Sequence, residues 1–264
     1  MQKINHYYFE SIDTEYKAYI LGFIFADGSI HTVKESIRNK NKEVYRIRER
    51  KRFVISIQKP DGYILEPLAE DLNVTIVTRN PPSTIKNNWQ PQSKITVCSD
   101  SIFDDLQKLG CYPNKSTVGM DFPTLLPEFI PHFIRGFFDG DGSLGIKIEK
   151  NTYQRKSKYV LKNPAKPLRY TIRIIFSSVS KSFLEQIEKY LTEHTPCTFV
   201  YEQYKNKKCY NMVSYGITST QNICNFLYKD ASYFLERKKE KLNEFNMLIK
   251  SQAEITISEG LETT

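Results

Sequence analysis

No apolar run in these 264 residues is long enough to span a bilayer, and residues 1–16 have neither the charged start nor the apolar core of a signal peptide. A soluble, intracellular protein is expected. The five cysteines, Cys98, Cys111, Cys197, Cys209 and Cys224, form no CxxC pair and are odd in number, which argues against a zinc site or a disulfide framework. Reduced thiols follow. Only four histidines occur, His6, His31, His132 and His194, and no spacing among them points to a general base or a ligand set. Acidic residues are outnumbered: 38 Lys and Arg against 30 Asp and Glu leave a net charge of +8 and a pI near 9.0, which favours an anionic partner.

What the chain does have is one nine-residue pattern, twice. Ile20-Leu21-Gly22-Phe23-Ile24-Phe25-Ala26-Asp27-Gly28 and Ile134-Arg135-Gly136-Phe137-Phe138-Asp139-Gly140-Asp141-Gly142 share their glycines, their apolar pair and a final Asp-Gly, and Ser29 and Ser143 follow. A repeat about a hundred residues apart reads as two copies of one structural unit. Residues 16–26 are apolar, uncharged after Lys17 and free of proline, which predicts a helix buried on more than one side. Gly22 and Gly136 fall mid-helix, where glycine costs roughly 1 kcal/mol relative to alanine, and close approach of another backbone is the expected reason. Gly28 and Gly142 are expected in the left-handed conformation that ends a helix.

Asp27 and Asp141 then occupy last turns, at the negative end of each helix dipole. If the helices pack through their glycines, two carboxylates and two sets of unpaired terminal carbonyls converge. Two such charges about 5 Å apart repel by roughly 3 kcal/mol at an effective dielectric of about 20. A divalent cation with oxygen ligands would remove that repulsion.

The surrounding segments also recur. After the first motif, strands are expected at 29–33 and 45–58, a helix at 63–72 behind the break Pro60-Asp61-Gly62, strands at 74–79 and 94–99, and a helix at 101–109. After the second, strands at 144–150 and 170–176, a helix at 181–191, strands at 198–204 and 211–217, and a helix at 220–228 are expected, with a final basic helix at 232–250. This is an α+β chain of two pseudo-symmetric αββαββα halves, residues 1–120 and 121–250, with a peripheral tail at 251–264. The stiff connector is the proline-spaced stretch 121–131. Basic residues cluster behind each motif, and Arg48, Arg50 and Arg52, like Arg169 and Arg173, alternate along strands, as on an open sheet face.

Both motif segments resemble the LAGLIDADG motif of homing endonucleases in the single-chain form with two motifs, and the likeness covers roughly residues 15–250. The resemblance implies motif helices packed at the centre of two saddle-shaped antiparallel sheets laid end to end along a duplex, reading the major groove of a long asymmetric DNA target. The expected DNA-contacting residues are Lys40, Lys42, Arg46, Arg48, Arg50, Arg52 and Lys94 in the first half, and Lys147, Arg155, Lys158, Arg169 and Arg173 in the second. Most would touch phosphates and set register.

The implied reaction is hydrolysis of one phosphodiester on each strand. Asp27 and Asp141 would hold Mg²⁺, helped by the backbone carbonyls of Ala26 and Gly140. Gln58 would position solvent, with Ser177 or Ser178 as its counterpart, and Lys115 and Lys238 would support the charge of the transition state. Asp139, matched by Phe25 in the first motif, reads as a structural residue of the helix end. The alternatives are an RNA maturase or a DNA-binding protein without catalysis. Retention of both aspartates argues against the second. A monomer is expected, with double-stranded DNA as its partner and its own intron RNA as a further candidate if it also acts as a maturase. Abundant Lys, Asn, Ile, Tyr and Phe hint at an AT-rich genome, leaving a bacterial or phage-host cytoplasm and an organelle as alternatives.

Overall fold

Each half opens on a motif helix whose closing glycine begins a strand. A computed structural model describes residues 3–38, 45–80, 90–150, 168–203 and 208–247. In the first half, α1 (Glu15–Asp27) leads into β1 (Gly28–Arg38) and β2 (Tyr45–Gln58), then a 3₁₀ turn (Lys59–Leu65), α2 (Glu66–Leu72), β3 (Val77–Arg79), β4 (Gln92–Cys98), α3 (Asp100–Lys108) and the short α4 (Lys115–Val118). In the second, a 3₁₀ turn (Pro127–Phe129) precedes α5 (Ile130–Asp141), β5 (Gly142–Lys150), β6 (Leu168–Ser178), α6 (Lys181–His194), β7 (Val200–Gln203), β8 (Tyr210–Tyr215) and α7 (Ile217–Tyr228). A last helix, α8, begins at residue 236 and runs to 247, the edge of the described residues.

The αββαββα order is therefore present in both halves, and the sheets match: β1-β2-β4-β3 and β5-β6-β8-β7, antiparallel throughout. Strand alternation puts Ile30, Phe53, Ile55, Ile57, Ile95 and Val97 on the buried face of the first sheet, and Leu144, Ile172, Ile174, Phe176 and Met212 on that of the second. The helices cover those faces. The opposite faces stay open.

The two halves meet where α1 and α5 cross. A Cβ on Gly22 would stand 2.0 Å from the Phe133 carbonyl oxygen, and one on Gly136 would stand 1.9 Å from that of Tyr19. Backbone thus lies directly on backbone, as the mid-helix glycines predict. Phe25, Phe133, Phe137 and Phe183 close round this crossing, with Phe25 stacked on Phe183 at 5.9 Å and Phe137 edge-on to it at 4.9 Å.

Polar groups fix the same crossing. Arg135, only 1% exposed, donates to the carbonyls of Leu227 (2.9 Å) and Tyr233 (2.8 Å) and to Glu15 of α1 (2.7 Å). Asp139 is fully buried and accepts from Tyr19 of α1 (2.9 Å), from Tyr228 and from the Leu235 backbone N–H (2.8 Å). Burial pushes its pKa up, against the pull of those three donors. All of its bonds point into the protein, and none involves Asp27 or Asp141.

Three expectations need correction. Gly28 and Gly142 are not left-handed: their φ angles are −79° and −86°, in extended backbone. Space is the reason they are glycines, since a Cβ would come within 2.7 Å of Ile24 and 2.1 Å of Phe138, one turn back. The final helix starts at 236 rather than 232, because the Ser232 N–H goes to Glu15 (2.8 Å) and the Leu235 N–H to Asp139. The helix expected at 63–72 is split, with Pro67 in the first turn of α2, where its missing N–H costs nothing.

Because Gly136 faces backbone rather than a flexible side chain, Gly136→Ala should destabilise the protein by roughly 3 kcal/mol. That corresponds to a fall in Tm of roughly 6–12 °C in scanning calorimetry. An unchanged Tm would show that the helices do not touch there.

Candidate active site

The glycine crossing carries both motif aspartates to one place. Asp27 ends α1, Asp141 ends α5, and both side chains reach solvent. Next to them Gly140 packs against Ala26: a Cβ added to it would lie 2.3 Å from the Ala26 Cβ and 3.3 Å from Asp27 Oδ2. The carboxylate of the first helix therefore lies against the second. Surrounding protein strips enough water from the pair to raise both pKa values. For Asp141 the value is pushed up to about 6, by burial first and then by the charge of Asp27, against the pull of Lys115 and Lys238. For Asp27, burial outweighs the opposing fields of Lys115, Arg237 and Lys238.

A carboxylate that raises its neighbour's pKa, as Asp27 does that of Asp141, is the electrostatic mark of a site short of a cation. Their hard oxygen donors suit Mg²⁺ or Ca²⁺. Among the described residues no group of three or more His, Cys, Asp or Glu could hold a metal ion. A cation here would draw on these two carboxylates together with backbone, water or substrate oxygens.

Each acid has a lysine beside it. Asn114, left-handed at φ 58°, turns the chain so that Lys115 starts α4 and donates to the Ala26 carbonyl at 2.5 Å. The carbonyl expected to face a metal thus accepts from an ammonium, and the two roles compete. Lys238 is 7% exposed and donates to the carbonyls of Phe138 (3.2 Å) and Gly142, above the Phe138 ring. Burial first, then Arg237 and Lys241, pull its pKa down to about 8, while Asp139 and Asp141 oppose them.

Gln58 is exposed at the end of β2, opposite Gln92. Its expected counterparts do not hold. Ile55 pairs with Gly28 and Phe176 pairs with Gly142, so three residues further on the equivalent of Gln58 is Val179. Ser177 instead matches Ser56, and the two make parallel contacts: Ser56 donates to Gln92 (2.9 Å) and Ser177 to Asn211 (2.8 Å). Ser178 turns into the core, where its hydroxyl takes the Ser180 N–H. The second half therefore has no polar residue at the Gln58 position.

On the open face of the first sheet, Arg50 and Arg52 share Glu35, at 3.2 and 2.8 Å, while Arg48 is exposed. Lys94 stands on the same face, its pKa lowered by burial and then by the like charges of Arg79 and Arg52. Such crowding of cations is relieved by an anion. In the second sheet Arg173 pairs in register with Tyr215, whose hydroxyl donates to Glu202. Arg46, Lys147 and Arg169 occupy strand positions opposite Ile37, Thr171 and Glu149. Lys40, Lys42, Arg155 and Lys158 lie outside the described residues, as does the tail 251–264.

Sequence reasoning did not single out Arg237, Asp61, Arg79 or Glu35. Arg237 stood in the basic run beside Lys238, but its partner Asp61, 2.8 Å away, is 176 residues upstream in what read as a chain break. No sequence signal joins them.

Comparison with known proteins agrees with the fold. Residues 134–250, which include Asp141 and Lys238, match the family model described as LAGLIDADG endonuclease. Curated protein sequences give no significant match. Among solved structures, the I-LtrWI LAGLIDADG homing endonuclease bound to target DNA superposes with a TM-score of 0.63 at 14% identity, over 90% of this chain and 91% of that one. I-SmaMI bound to uncleaved DNA in the presence of calcium ions superposes with a TM-score of 0.62 at 12% identity, over 95% and 96%. I-SmaMI bound to cleaved DNA gives 0.60 at 13%, over 96% and 94%. No helix among the described residues is long and apolar enough to cross a membrane. Over nearly its whole length, this chain has the fold of the LAGLIDADG homing endonucleases.

Proposed function

We propose that this protein is a site-specific DNA endonuclease that makes a double-strand break in a long asymmetric target, acting as a monomer with both acidic centres in one chain. The observation that carries the reading is the convergence of Asp27 and Asp141, each flanked by a lysine, at the crossing of two glycine-packed helices between two open sheet faces. The match of residues 134–250 to an endonuclease family and the likeness to DNA-bound homing endonucleases support it.

Each part of the chain has a task. The open faces bind duplex through arginines and lysines that displace counterions from phosphates, with Arg48, Arg50, Arg52, Lys94 and Arg173 foremost among the described residues. Asp27 and Asp141, once ionised, would hold Mg²⁺, with Gly140 and Ala26 adjoining. Bound Mg²⁺ supplies Lewis-acid stabilisation of the phosphoryl oxygens and lowers the pKa of a coordinated water. Lys115 and Lys238 set positive charge beside the acids, where negative charge grows on the phosphate in the transition state. Gln58 orients solvent in the first half.

Asp27→Asn and Asp141→Asn should each reduce double-strand cleavage by about 10²–10³-fold or more, while affinity for the duplex stays largely unchanged. Selection of cut targets from a randomised DNA library with Mg²⁺, and of bound targets with Ca²⁺, supplies the substrate. Recovery of bound but never cut sequences would overturn the nuclease reading.

The pH dependence follows from Asp141 and Lys238. Cleavage should rise as pH passes about 6, where Asp141 ionises, and fall above about 8, where Lys238 loses its proton. Lys238→Arg should flatten the alkaline limb. Stability moves the other way on the acid side: between the ordinary carboxylate value of 3.8 and about 6 the native state holds the extra proton, so rising pH lowers stability. Above that range and without divalent cations, Asp141→Asn should therefore melt higher than the parent. Mg²⁺ should raise the Tm of the parent and not of the variant.

A further inference from the structure

The start of α8 touches both halves through adjacent residues. Lys238 is fixed on the second half by the Phe138 and Gly142 carbonyls. Arg237, the residue before it, reaches the first half and donates from Nε to Asp61 Oδ2 at 2.8 Å. Asp61 is 7% exposed and sits in the 3₁₀ turn directly behind Gln58. The Arg237 side chain, by contrast, is 53% exposed. Only its Nε is engaged among the described residues, so the two terminal nitrogens keep their donors.

Arg237 lines a cleft of about 420 Å³ beside the second motif, together with Gly142, Ser143, Lys238, Glu240, Lys241 and Glu244. Its lining begins at Gly142, the residue after Asp141, and its basic side chains, Arg237, Lys238 and Lys241, outnumber its two glutamates. The first half has no equivalent arginine: Asn114 and Ser116 flank Lys115. The guanidinium also belongs to the field that offsets the charge of Asp27. A planar fork held at one edge by a buried carboxylate, with its other edge free, is built for an oxyanion such as a phosphodiester.

We propose that Arg237, oriented by Asp61, contacts a backbone phosphate of the DNA strand cut on the Asp27 side, so that the second half supplies a cation to the first half's reaction. This rests on the nuclease reading above. It makes the two reaction centres unequal, because Lys115 and Lys238 act on both acids whereas Arg237 acts on Asp27 alone of the pair.

The test uses the full chain and a selected duplex end-labelled on each strand in turn, with single-strand cleavage rates measured separately. Gln58→Ala, whose position is taken by Val179 in the second half, identifies the strand served on the Asp27 side as the one it slows more. Arg237→Ala should slow that same strand by about 10-fold or more and the other by less than about 3-fold. Arg237→Lys should restore part of the rate, and Asp61→Asn should show the same strand bias more weakly. The salt dependence of binding, measured in Ca²⁺, should lose about one phosphate, a slope change of about 0.9.

Equal slowing of both strands by Arg237→Ala, together with a lowered Tm and an unchanged salt slope, would mean that the Asp61 pair only holds the fold, and would overturn the proposal. Wild-type rates on both strands would overturn it too. If the parent protein cuts no duplex, the nuclease reading fails. The salt slope on a random-sequence duplex would still decide whether Arg237 meets a phosphate.

Discussion

The contact on which the rest depends is backbone against backbone at Gly22 and Gly136. Two helices carrying side chains there would stand further apart, and their ends would not present Asp27 and Asp141 to one another. Each glycine weakens its own helix, and the opposing helix compensates by filling the space. The same approach positions Gly140 on Ala26 and, through strand pairing at Gly28 and Gly142, sets where each sheet leaves the crossing. Site and scaffold are one construction.

That construction concentrates negative charge at two helix C-termini, where the dipole already disfavours it. Three cations answer it from outside the motif helices: Lys115 behind a left-handed turn, and Arg237 and Lys238 at the head of α8. Lys238 has little solvent around it, and the carbonyls of Phe138 and Gly142 replace its lost water. Holding α8 in register is the work of Arg135 and Asp139, motif residues whose bonds run to Leu227, Tyr228, Tyr233 and Leu235. The second motif therefore does two jobs, with its last carboxylate reaching solvent beside Asp27 and its other charged pair turned to the protein.

Much of this was legible in the residues. Element order, the interlocking glycines, the acid pair and its flanking lysines all leave local or repeated marks. Register was less legible, because β2 and β6 are both long β-formers and nothing in Ser177-Ser178-Val179 announces that Val179 is the position matching Gln58. Conformation at Gly28 and Gly142 was misread because a helix-ending glycine usually signals a positive φ, whereas here the preceding turn's Ile24 and Phe138 crowd out any Cβ. Partners distant in sequence, such as Arg237 with Asp61 or Arg135 with Glu15, leave no periodic trace. They are visible only once the chain is folded.

The late position of α8 has a consequence for how the crossing is completed. Both motif helices, both sheets and Lys115 precede residues 227–238 in the chain, and that segment completes the bonding that Glu15 and Tyr19 begin at Arg135 and Asp139. Without that segment Arg135 would keep Glu15 and Asp139 would keep Tyr19, but each would lose the partners the segment supplies, in a buried setting. A chain lacking α8 would keep Asp27 and Asp141 but lose Arg237 and Lys238, two of the three cations whose fields offset the charge of Asp27.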